Sequence, residues 1–311
     1  MEKNLLFKEV HDLEFFNYAY LPLVAFSDAL KPSSMLAKMP PKSTNGYTHY
    51  VAINLGFTHQ DDKKYTYSAC LVKDEVTKKC KKSQKKVAYI DDFPENLTAI
   101  YIPPHFSPAT KTDLILYLHG HLTDTPGLNK QNGKKYSPSI KNYLEYSAKP
   151  YFKFRDIVKD SGKNIVFVAP TLGPKSQYGN LATNFDDFMV QVISEINAYI
   201  TKQLSFKEPI ILGKLIIAAH SGGGAAMLEV ARQSKSKYAQ LIKEFWGFDS
   251  WYNSKNAWNE IAGNTSAKVF AYWSDSVQLP KAIKNRVMIT AAKNLNHFTL
   301  LPYYFRERVN G

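Results

Sequence analysis

The sequence predicts an α/β fold, in which a mainly parallel β-sheet is flanked by helices and preceded by an N-terminal β-rich extension. From about Asn96 onwards, short apolar segments alternate with stretches in which apolar residues recur at helical spacing. Several apolar segments are almost uninterrupted, as in strands that are buried on both faces of a parallel sheet. We therefore divide the 311-residue chain into an extension, residues 1–95, and an α/β domain, residues 96–311.

The α/β domain contains a series of predicted strands that are short and rich in apolar residues. They are residues 95–103, 112–121, 164–173, 215–219, 245–248, 267–274 and 285–290. Helical spacing is clearest in 185–200, and a glycine-led helix follows the strand at 215–219. Residues 137–161 are also predicted to contain helix, interrupted near Pro150.

The extension has a different pattern. Residues 47–57, 64–73 and 85–93 are β-branched and aromatic with polar breaks between them, which predicts an antiparallel meander packed on the main domain. Cys70 and Cys80 both lie in this region, and their spacing fits either a disulfide or two free thiols.

The chain is strongly basic, with 40 Lys and Arg residues against 27 Asp and Glu residues and a net charge of +13. The lysine-rich segment Lys78–Lys86 is either a solvated hairpin tip or a contact for an anionic surface or polymer. No nucleic-acid-binding motif accompanies it, and no apolar run approaches the length of a membrane span. The first residues lack a signal-peptide pattern, so we expect a cytoplasmic protein, or a secreted one whose signal has been removed.

The segment "KLIIAAHSGGGAAM" is the main chemical signal in the sequence. An apolar strand ends at His220, Ser221 follows, and three glycines lead into small helix-forming residues. A serine at the tip of a tight strand-to-helix turn projects above the sheet, and the turn requires small neighbours, here Ala219 and Gly223. The turn also points the next backbone N–H, that of Gly222, at a reacting carbonyl group. We interpret Ser221 as a nucleophile.

Two other interpretations of this turn compete with the first. A glycine-rich turn that opens a helix can hold a phosphate group, but the segment lacks the Lys-Ser/Thr pair of a P-loop and does not match G-x-G-x-x-G. The glycines could also serve close packing alone.

A nucleophilic serine requires a base and a carboxylate that orients the base. His297 is the only histidine after Ser221, and it lies in the polar segment "KNLNHFTLLPYYF". Asp249 and Asp275 follow the first and the second predicted strand after the serine helix. Both would point from the same sheet edge, so spacing alone does not choose between these two acids.

The segment "LYLHGHLTD" ends a buried strand and is the candidate partner for a developing oxyanion. Each donor that faces such an oxygen contributes roughly 3–4 kcal/mol to transition-state stabilisation. The backbone N–H of His121 or Leu122 would join that of Gly222. A metal site on His119, His121 and Asp124 is the alternative, but no carboxylate cluster elsewhere completes it.

Across the α/β domain the sequence resembles the α/β-hydrolase superfamily. The motifs are "YLHGH" as the oxyanion turn, "AHSGGG" as the nucleophile elbow and a late "NHF", and their order is more specific than any one of them. The resemblance implies ester, thioester or related acyl hydrolysis by Ser221 and His297, without a metal or organic cofactor. The segment "FWGFDSWYN" resembles lipase-like members whose acid follows this strand, which favours Asp249; more often the acid follows the next strand, where Asp275 lies. Ala219 stands in place of the first glycine of G-x-S-x-G.

Four aromatic residues lie close to the predicted chemistry and are candidate substrate contacts: Trp251, Tyr252, Trp273 and Phe298. They favour an apolar or sugar-bearing ester, either a small molecule or one carried on a polymer. Two other functions are compatible with the same residues. One is a non-catalytic binding protein on this fold, and the other is a peptidase or amidase with the same catalytic side chains.

Overall fold

The computed structural model describes residues 46–53, 64–73, 80–89, 97–120, 130–131, 134–135, 153–172, 179–250, 257–274, 287–291 and 294–311. Their strands, in chain order, are β1 (Tyr47–Ala52), β2 (Lys64–Lys73), β3 (Cys80–Tyr89), β4 (Leu97–Ile102), β5 (Lys111–Leu118), β6 (Lys130–Gln131), β7 (Lys134–Lys135), β8 (Ile165–Pro170), β9 (Ile211–His220), β10 (Ile242–Phe248), β11 (Lys268–Trp273) and β12 (Val287–Ala291). The helices are α1 (Phe154–Asp160), α2 (Asn180–Thr183), α3 (Phe185–Lys202), α4 (Gly223–Arg232), α5 (Ala257–Asn264) and α6 (Leu300–Asn310). None of these helices combines the length and the apolar character that a membrane crossing requires.

Eight of the strands form one sheet in the order β1-β4-β8-β5-β9-β10-β11-β12. β4 runs antiparallel to both of its neighbours, whereas β8, β5, β9, β10, β11 and β12 are parallel to one another. When only the strands of this sheet are numbered along the chain, their order across the sheet is 1-2-4-3-5-6-7-8. The prediction of a mainly parallel sheet flanked by helices is confirmed.

The prediction of an antiparallel meander in the extension is wrong for its first strand, β1. β2 and β3 form a separate two-stranded sheet, but β1 pairs with β4 at the edge of the main sheet. Tyr47 and Val51 of β1 are buried in the main core, and a two-stranded hairpin alone offers no comparable burial. In the β2–β3 hairpin, Cys80 lies opposite Lys73 rather than opposite Cys70, so the two cysteines are not cross-strand partners.

Side chains alternate along the central strands and separate two hydrophobic cores, one on each face of the sheet. In β5, Leu114, Leu116 and Leu118 belong to the first core, and Ile115 and Tyr117 belong to the second. All five side chains are fully buried, which explains why the strand reads as an uninterrupted apolar run. Helices α3, α4 and α5 contribute to the first core, and α1 and α6 contribute to the second.

Helix α3 forms because its apolar residues share one face. Phe185, Phe188, Met189, Val192 and Ile196 are buried, and each lies three or four positions from another member of the set, which matches the helical repeat. Burial of a large apolar side chain contributes roughly 1.5–3 kcal/mol. Packing on the sheet therefore stabilises this helix more than its intrinsic propensity does.

The carboxyl ends of the parallel strands meet at one edge of the sheet and are followed by small or polar residues. Gly120 lies just beyond β5, Ser221 follows β9, Asp249 follows β10 and Ser274 follows β11. His297 lies in the segment between β12 and α6. Because the strands are neighbours in the sheet, residues far apart in the chain come together at this edge.

The turn between β9 and α4 lies directly against the end of β5. A Cβ atom at Gly223 would lie 2.7 Å from the carbonyl oxygen of His119 and closer still to that of Leu118. Both obstacles are backbone atoms at the end of a buried strand, so they cannot rotate away as a flexible side chain can. The first turn of α4 therefore requires glycine at this position.

We expect Gly223→Ala to destabilise the protein by roughly 2–3 kcal/mol, because the added methyl group must displace the end of β5. The free energy of unfolding, measured by urea denaturation, tests this. Ala225→Ser is the matched control: residue 225 is exposed on the same helix, and its replacement should cost no more than about 0.5 kcal/mol. An unfolding free energy that Gly223→Ala leaves unchanged would contradict the close contact.

Candidate active site

Ser221 occupies a strained turn between β9 and α4. Its φ angle is +52°, in the left-handed region that residues other than glycine seldom enter. The Ser221 N–H donates to the carbonyl oxygen of Phe248 at 3.2 Å, and the Ser221 carbonyl oxygen accepts from the Gly224 N–H at 3.1 Å. Backbone strain of this kind costs about 1–3 kcal/mol and persists where the surroundings enforce it, often at functional sites.

Gly120 lies beside the Ser221 side chain. A Cβ atom at residue 120 would be 2.6 Å from Ser221 Cβ and 3.2 Å from Ser221 Oγ. The turn after β5 therefore approaches the serine so closely that only glycine leaves room for the hydroxyl group. Gly120 belongs to the segment that is predicted to face a developing oxyanion. The contact therefore places this residue of the segment next to the predicted nucleophile, Ser221.

His297 and Asp249 form a short hydrogen bond across 48 residues of chain, with 2.6 Å between Nδ1 and Oδ2. Asp249 is 3% exposed, whereas the His297 side chain is 27% exposed. A carboxylate accepts hydrogen bonds, so Nδ1 of His297 carries the proton and the lone pair of the neutral ring is on Nε2. Asp249, one of the two predicted acids, is thus in contact with His297; the other, Asp275, lies outside the described residues.

A second donor, Ser274, holds the same carboxylate. Its Oγ lies 2.5 Å from Oδ2 of Asp249, and its N–H lies 3.5 Å from Oδ1. Burial alone raises the pKa of Asp249, but the hydrogen bonds from His297 and Ser274 outweigh burial, and the pKa lies below its usual value. The Asp249 carboxyl group is therefore ionised at neutral pH.

The backbone of Asp249 is also constrained. Its φ angle is +44°, and its N–H donates to the carbonyl oxygen of Tyr272 at 2.8 Å. Aspartate tolerates the left-handed region better than most residues. The backbone of Asp249 is thus held in place, and its carboxylate accepts hydrogen bonds from His297 and Ser274.

The backbone N–H of Gly222, the first predicted oxyanion donor, follows Ser221 directly. Within the described part of the chain, neither this N–H nor the Ser221 hydroxyl group makes a hydrogen bond. His121 and Leu122, the other predicted donors, lie outside the described residues. Gly222 therefore offers a donor next to the serine that no described residue occupies.

His119 fastens the turn after β5 to the segment after β8. The Leu172 N–H donates to His119 Nε2 at 2.8 Å, so Nδ1 carries the ring proton and donates to the Gly120 carbonyl oxygen at 2.7 Å. With both ring nitrogens hydrogen-bonded to backbone, His119 has no lone pair to offer a metal ion. The other members of that alternative, His121 and Asp124, lie outside the described residues.

His220 precedes Ser221 and is 2% exposed. Its Nε2 lies 3.0 Å from the backbone oxygen of His297, and the two ring centroids are 4.4 Å apart. Burial, followed by the neighbouring His297, lowers the pKa of His220 to about 3. The ring is therefore neutral at physiological pH, and its Nε2–H donates to the carbonyl oxygen.

Two of the predicted aromatic contacts lie within the described residues. The Phe298 ring adjoins that of His297, with centroids 5.0 Å apart, and it packs against the second core. Trp273, the last residue of β11, is half-buried and packs against the first core. Trp251 and Tyr252 lie outside the described residues. Phe298 therefore borders His297, and Trp273 contributes to packing under the same sheet edge.

Three residues, Ser274, His220 and His119, make contacts within the site that were not predicted from the sequence. Ser274 directly follows a buried strand at the edge that also carries Asp249, and this position was a signal for a polar contact. His220 and His119 likewise end or follow apolar strands. Their partners depend on how the strands are aligned in the sheet, which spacing along the chain does not reveal.

The buried, neutral ring of His220 predicts a loss of stability in mild acid. The unfolded chain takes up this proton near pH 6.5, whereas folded His220 takes it up only near pH 3. The contribution of His220 is thus complete above pH 6.5 and is lost as the pH falls from 6.5 towards 3. Within this window the free energy of unfolding should decrease by up to about 1.4 kcal/mol per pH unit on account of this ring.

Comparison of variants isolates the effect of His220 from that of the other titratable groups that face its ring, which are His297, Asp249 and His119. His220→Gln removes the titrating group and keeps an N–H for the His297 carbonyl oxygen. We expect its unfolding free energy, from urea denaturation between pH 6.5 and 4, to depend less steeply on pH than that of the wild type. The exposed change Ala225→Ser should keep the wild-type slope. Parallel slopes for His220→Gln and wild type would show that the folded ring is not neutral.

No model of a known protein family matches the sequence, and a comparison with curated proteins found no match. Among solved structures, the chain is similar to the feruloyl esterase module from Clostridium thermocellum, with 13% identity, a TM-score of 0.42, and coverage of 88% of this chain and 92% of that chain. It is also similar to an S-formylglutathione hydrolase from Agrobacterium tumefaciens, with 13% identity, a TM-score of 0.38, and coverage of 88% and 95%. A ferulic acid esterase from Anaeromyces mucronatus has 15% identity, a TM-score of 0.40, and coverage of 80% and 89%.

Sequence identities and TM-scores this low do not establish the fold, but the strand order of the chain does. The second strand across the sheet, β4, is antiparallel to its neighbours. The third and fourth strands, β8 and β5, stand in the reverse of their order along the chain. Ser221, which has a positive φ angle, occupies the sharp strand-to-helix turn at the carboxyl end of β9, the fifth strand across the sheet. The chain has the fold of the α/β-hydrolase superfamily.

Proposed function

We propose that the protein is a serine hydrolase that cleaves an ester-type acyl bond, with Ser221 as nucleophile, His297 as base and Asp249 as orienting acid. The observation that carries this proposal is the 2.6 Å hydrogen bond between His297 and Asp249 at the sheet edge that also carries Ser221. His220, the neighbour of Ser221, donates to the His297 backbone, which supports a single cluster of the three side chains. A nucleophilic hydroxyl, an imidazole base and an orienting carboxylate together can carry out acyl transfer.

The environment of each group suits its proposed role. The ionised Asp249 keeps the proton of His297 on Nδ1, so Nε2 has the lone pair that removes the hydroxyl proton from Ser221. The Ser221 oxygen then attacks the carbonyl carbon, and the carbonyl electron pair moves to the oxygen. Asp249 stabilises the positive charge that His297 acquires in this step and does not itself take the proton.

The remaining steps return the groups to their starting state. His297 gives its new proton to the leaving alcohol as the bond to that oxygen breaks, and an acyl group stays on Ser221. A water molecule then attacks the acyl carbon while His297 removes its proton, and the Ser221 oxygen leaves with that proton as the acid is released. In our proposal, the Gly222 N–H and the backbone N–H of His121 or Leu122 stabilise the negative oxygen in both halves of the reaction.

The Ser221 hydroxyl group makes no hydrogen bond to a described residue, and this is compatible with the mechanism. Hydrogen bonds between a nucleophile and its base are often long before the substrate binds, and they shorten in the reacting complex. The half-buried ring of Phe298 beside His297 supports a substrate with an apolar group next to the scissile bond. We propose an apolar or sugar-bearing ester, free or attached to a polymer.

Labelling with a fluorophosphonate probe tests the nucleophile. We expect one adduct on the wild type by intact mass and none on Ser221→Ala. His297→Ala and Asp249→Asn should react roughly 10³-fold more slowly or worse, because each loses the properly protonated base. Ser205→Ala is the matched control: Ser205 also has a left-handed backbone, with φ +57°, and is exposed away from this sheet edge, so its replacement should leave labelling unchanged.

The same experiment separates the proposal from its alternative. A folded wild type that forms no adduct, or an adduct that persists on Ser221→Ala, would exclude Ser221 as an activated nucleophile. A non-catalytic binding protein on the same fold would then be the better interpretation.

Ser274→Ala tests the second donor to Asp249. A hydrogen bond to a charged group contributes about 1.5–3 kcal/mol, so we expect kcat for an ester substrate to fall by roughly tenfold or more. Loss of this donor also raises the pKa of Asp249, so the carboxyl group that orients His297 should become protonated at a higher pH than in the wild type. Ser274→Thr keeps the hydroxyl group and should retain most of the activity. Equal losses in the two variants would show that the hydroxyl group is not what matters.

A further inference from the structure

We propose that His220 is a positioning residue for the reaction, which rests on the function proposed above: its ring N–H holds the backbone of His297 beside Ser221. His220 is the last residue of β9 and is joined to Ser221 by one peptide bond. Its Nε2 lies 3.0 Å from the carbonyl oxygen of His297, 77 residues further along the chain. One covalent bond and one hydrogen bond thus connect the backbone of the nucleophile to the backbone of the base.

The direction of this hydrogen bond is determined by chemistry. A carbonyl oxygen only accepts, so Nε2 of His220 must carry the proton. The two imidazole rings also lie against each other, with an interplanar angle of 32° and 4.4 Å between centroids. Because the ring is buried, a positive charge on it is unfavourable, and His220 is therefore a poor second base for Ser221.

Hydrogen bonds within the segment that carries His297 also hold its shape. Asn296 Oδ1 accepts from the N–H groups of Phe298 at 2.9 Å and Thr299 at 3.0 Å, and Thr299 Oγ1 accepts from the Asn296 N–H at 2.9 Å. These bonds shape the turn before α6 but do not attach it to the sheet. Leu295 and Phe298 pack the segment against the second core, and hydrogen bonds join it to Asp249 at the His297 ring and to His220 at the His297 backbone.

The two attachments control different movements. The bond from His297 Nδ1 to Asp249 sets the rotation of the ring, but a ring held at one atom still moves with its backbone. The bond from His220 fixes that backbone relative to β9, and therefore relative to Ser221. A displacement of about 1 Å in a reacting group can reduce the rate by roughly 100-fold, so we infer that this backbone bond is required for rapid proton transfer.

Three variants separate the hydrogen bond from the packing of the ring. His220→Phe keeps a ring against His297 but removes the donor, and His220→Gln replaces the ring but keeps an N–H that can reach the carbonyl oxygen. His49→Phe is the control, because His49 is a partly buried histidine on β1 at the edge of the sheet. For each protein we would measure kcat and KM with p-nitrophenyl acetate and the rate of Ser221 labelling by a fluorophosphonate probe.

We expect kcat and the labelling rate of His220→Phe to fall roughly 10- to 100-fold, with KM changed by no more than about twofold, because substrate contacts are retained while the base is misplaced. His220→Gln should recover most of the rate, and His49→Phe should match the wild type. If His220→Phe does not fold, His220→Asn takes its place, since its shorter amide cannot reach the His297 carbonyl oxygen. Amide hydrogen exchange in residues 294–299 should be faster in the variant without a donor than in His220→Gln.

Each other outcome contradicts a definite part of the inference. Equal losses in His220→Phe and His220→Gln, or a loss expressed in KM alone, would mean that the ring only fills space. Unchanged rates in His220→Phe would overturn the positioning role while leaving the proposed hydrolase intact. A wild type that the probe does not label would remove the proposed function and the catalytic role of His220 together, and hydrogen exchange would still report whether His220 holds the segment.

Discussion

The site depends on the close approach of two backbone turns, one after β5 and the other after β9. The parallel register pairs Leu118 with Ala219, so the two strands end at the same level and their turns meet. Side chains are excluded from the contact, because a Cβ atom at Gly120 or Gly223 would overlap backbone or serine atoms. Ser221 therefore projects from a surface made of backbone groups, which the two strands fix in place.

Three histidines at this edge show how environment divides one residue type among different tasks. His119 and His220 are buried and donate a ring N–H to backbone oxygens. His297 keeps partial exposure and donates to a carboxylate instead. A neutral ring that is hydrogen-bonded to backbone acts as a rigid connector, whereas a partly exposed ring beside an ionised carboxylate has the surroundings of a general base, the role that we propose for His297. The buried pair also adds no positive charge next to His297.

The sequence predicted the residues whose position follows from chain order alone. Ser221 and Asp249 each follow an apolar strand of a parallel sheet, and such strands end at a common edge, so their proximity could be expected. Preference for Asp249 over Asp275 came from resemblance and not from spacing. The partner of Ser274 and the bond from His220 to His297 depend on the lateral order of strands, which single-strand patterns do not encode. The prediction of the meander was wrong for the same reason. The composition of β1 identifies it as a strand, but it does not determine which strand β1 pairs with.

The positive φ angles of Ser221 and Asp249 restrict which residues these positions can accept. A threonine carries the same hydroxyl group as serine, yet its branched Cβ makes the left-handed region a severe outlier. A glutamate carries the same carboxylate as aspartate, but it lacks the short polar side chain that lets aspartate adopt this conformation. At +52° and +44°, substitutions that preserve the functional group therefore do not preserve the backbone. Residue choice at this sheet edge is governed by conformation as much as by chemical reactivity, and a relative that used threonine or glutamate here would need differently shaped turns.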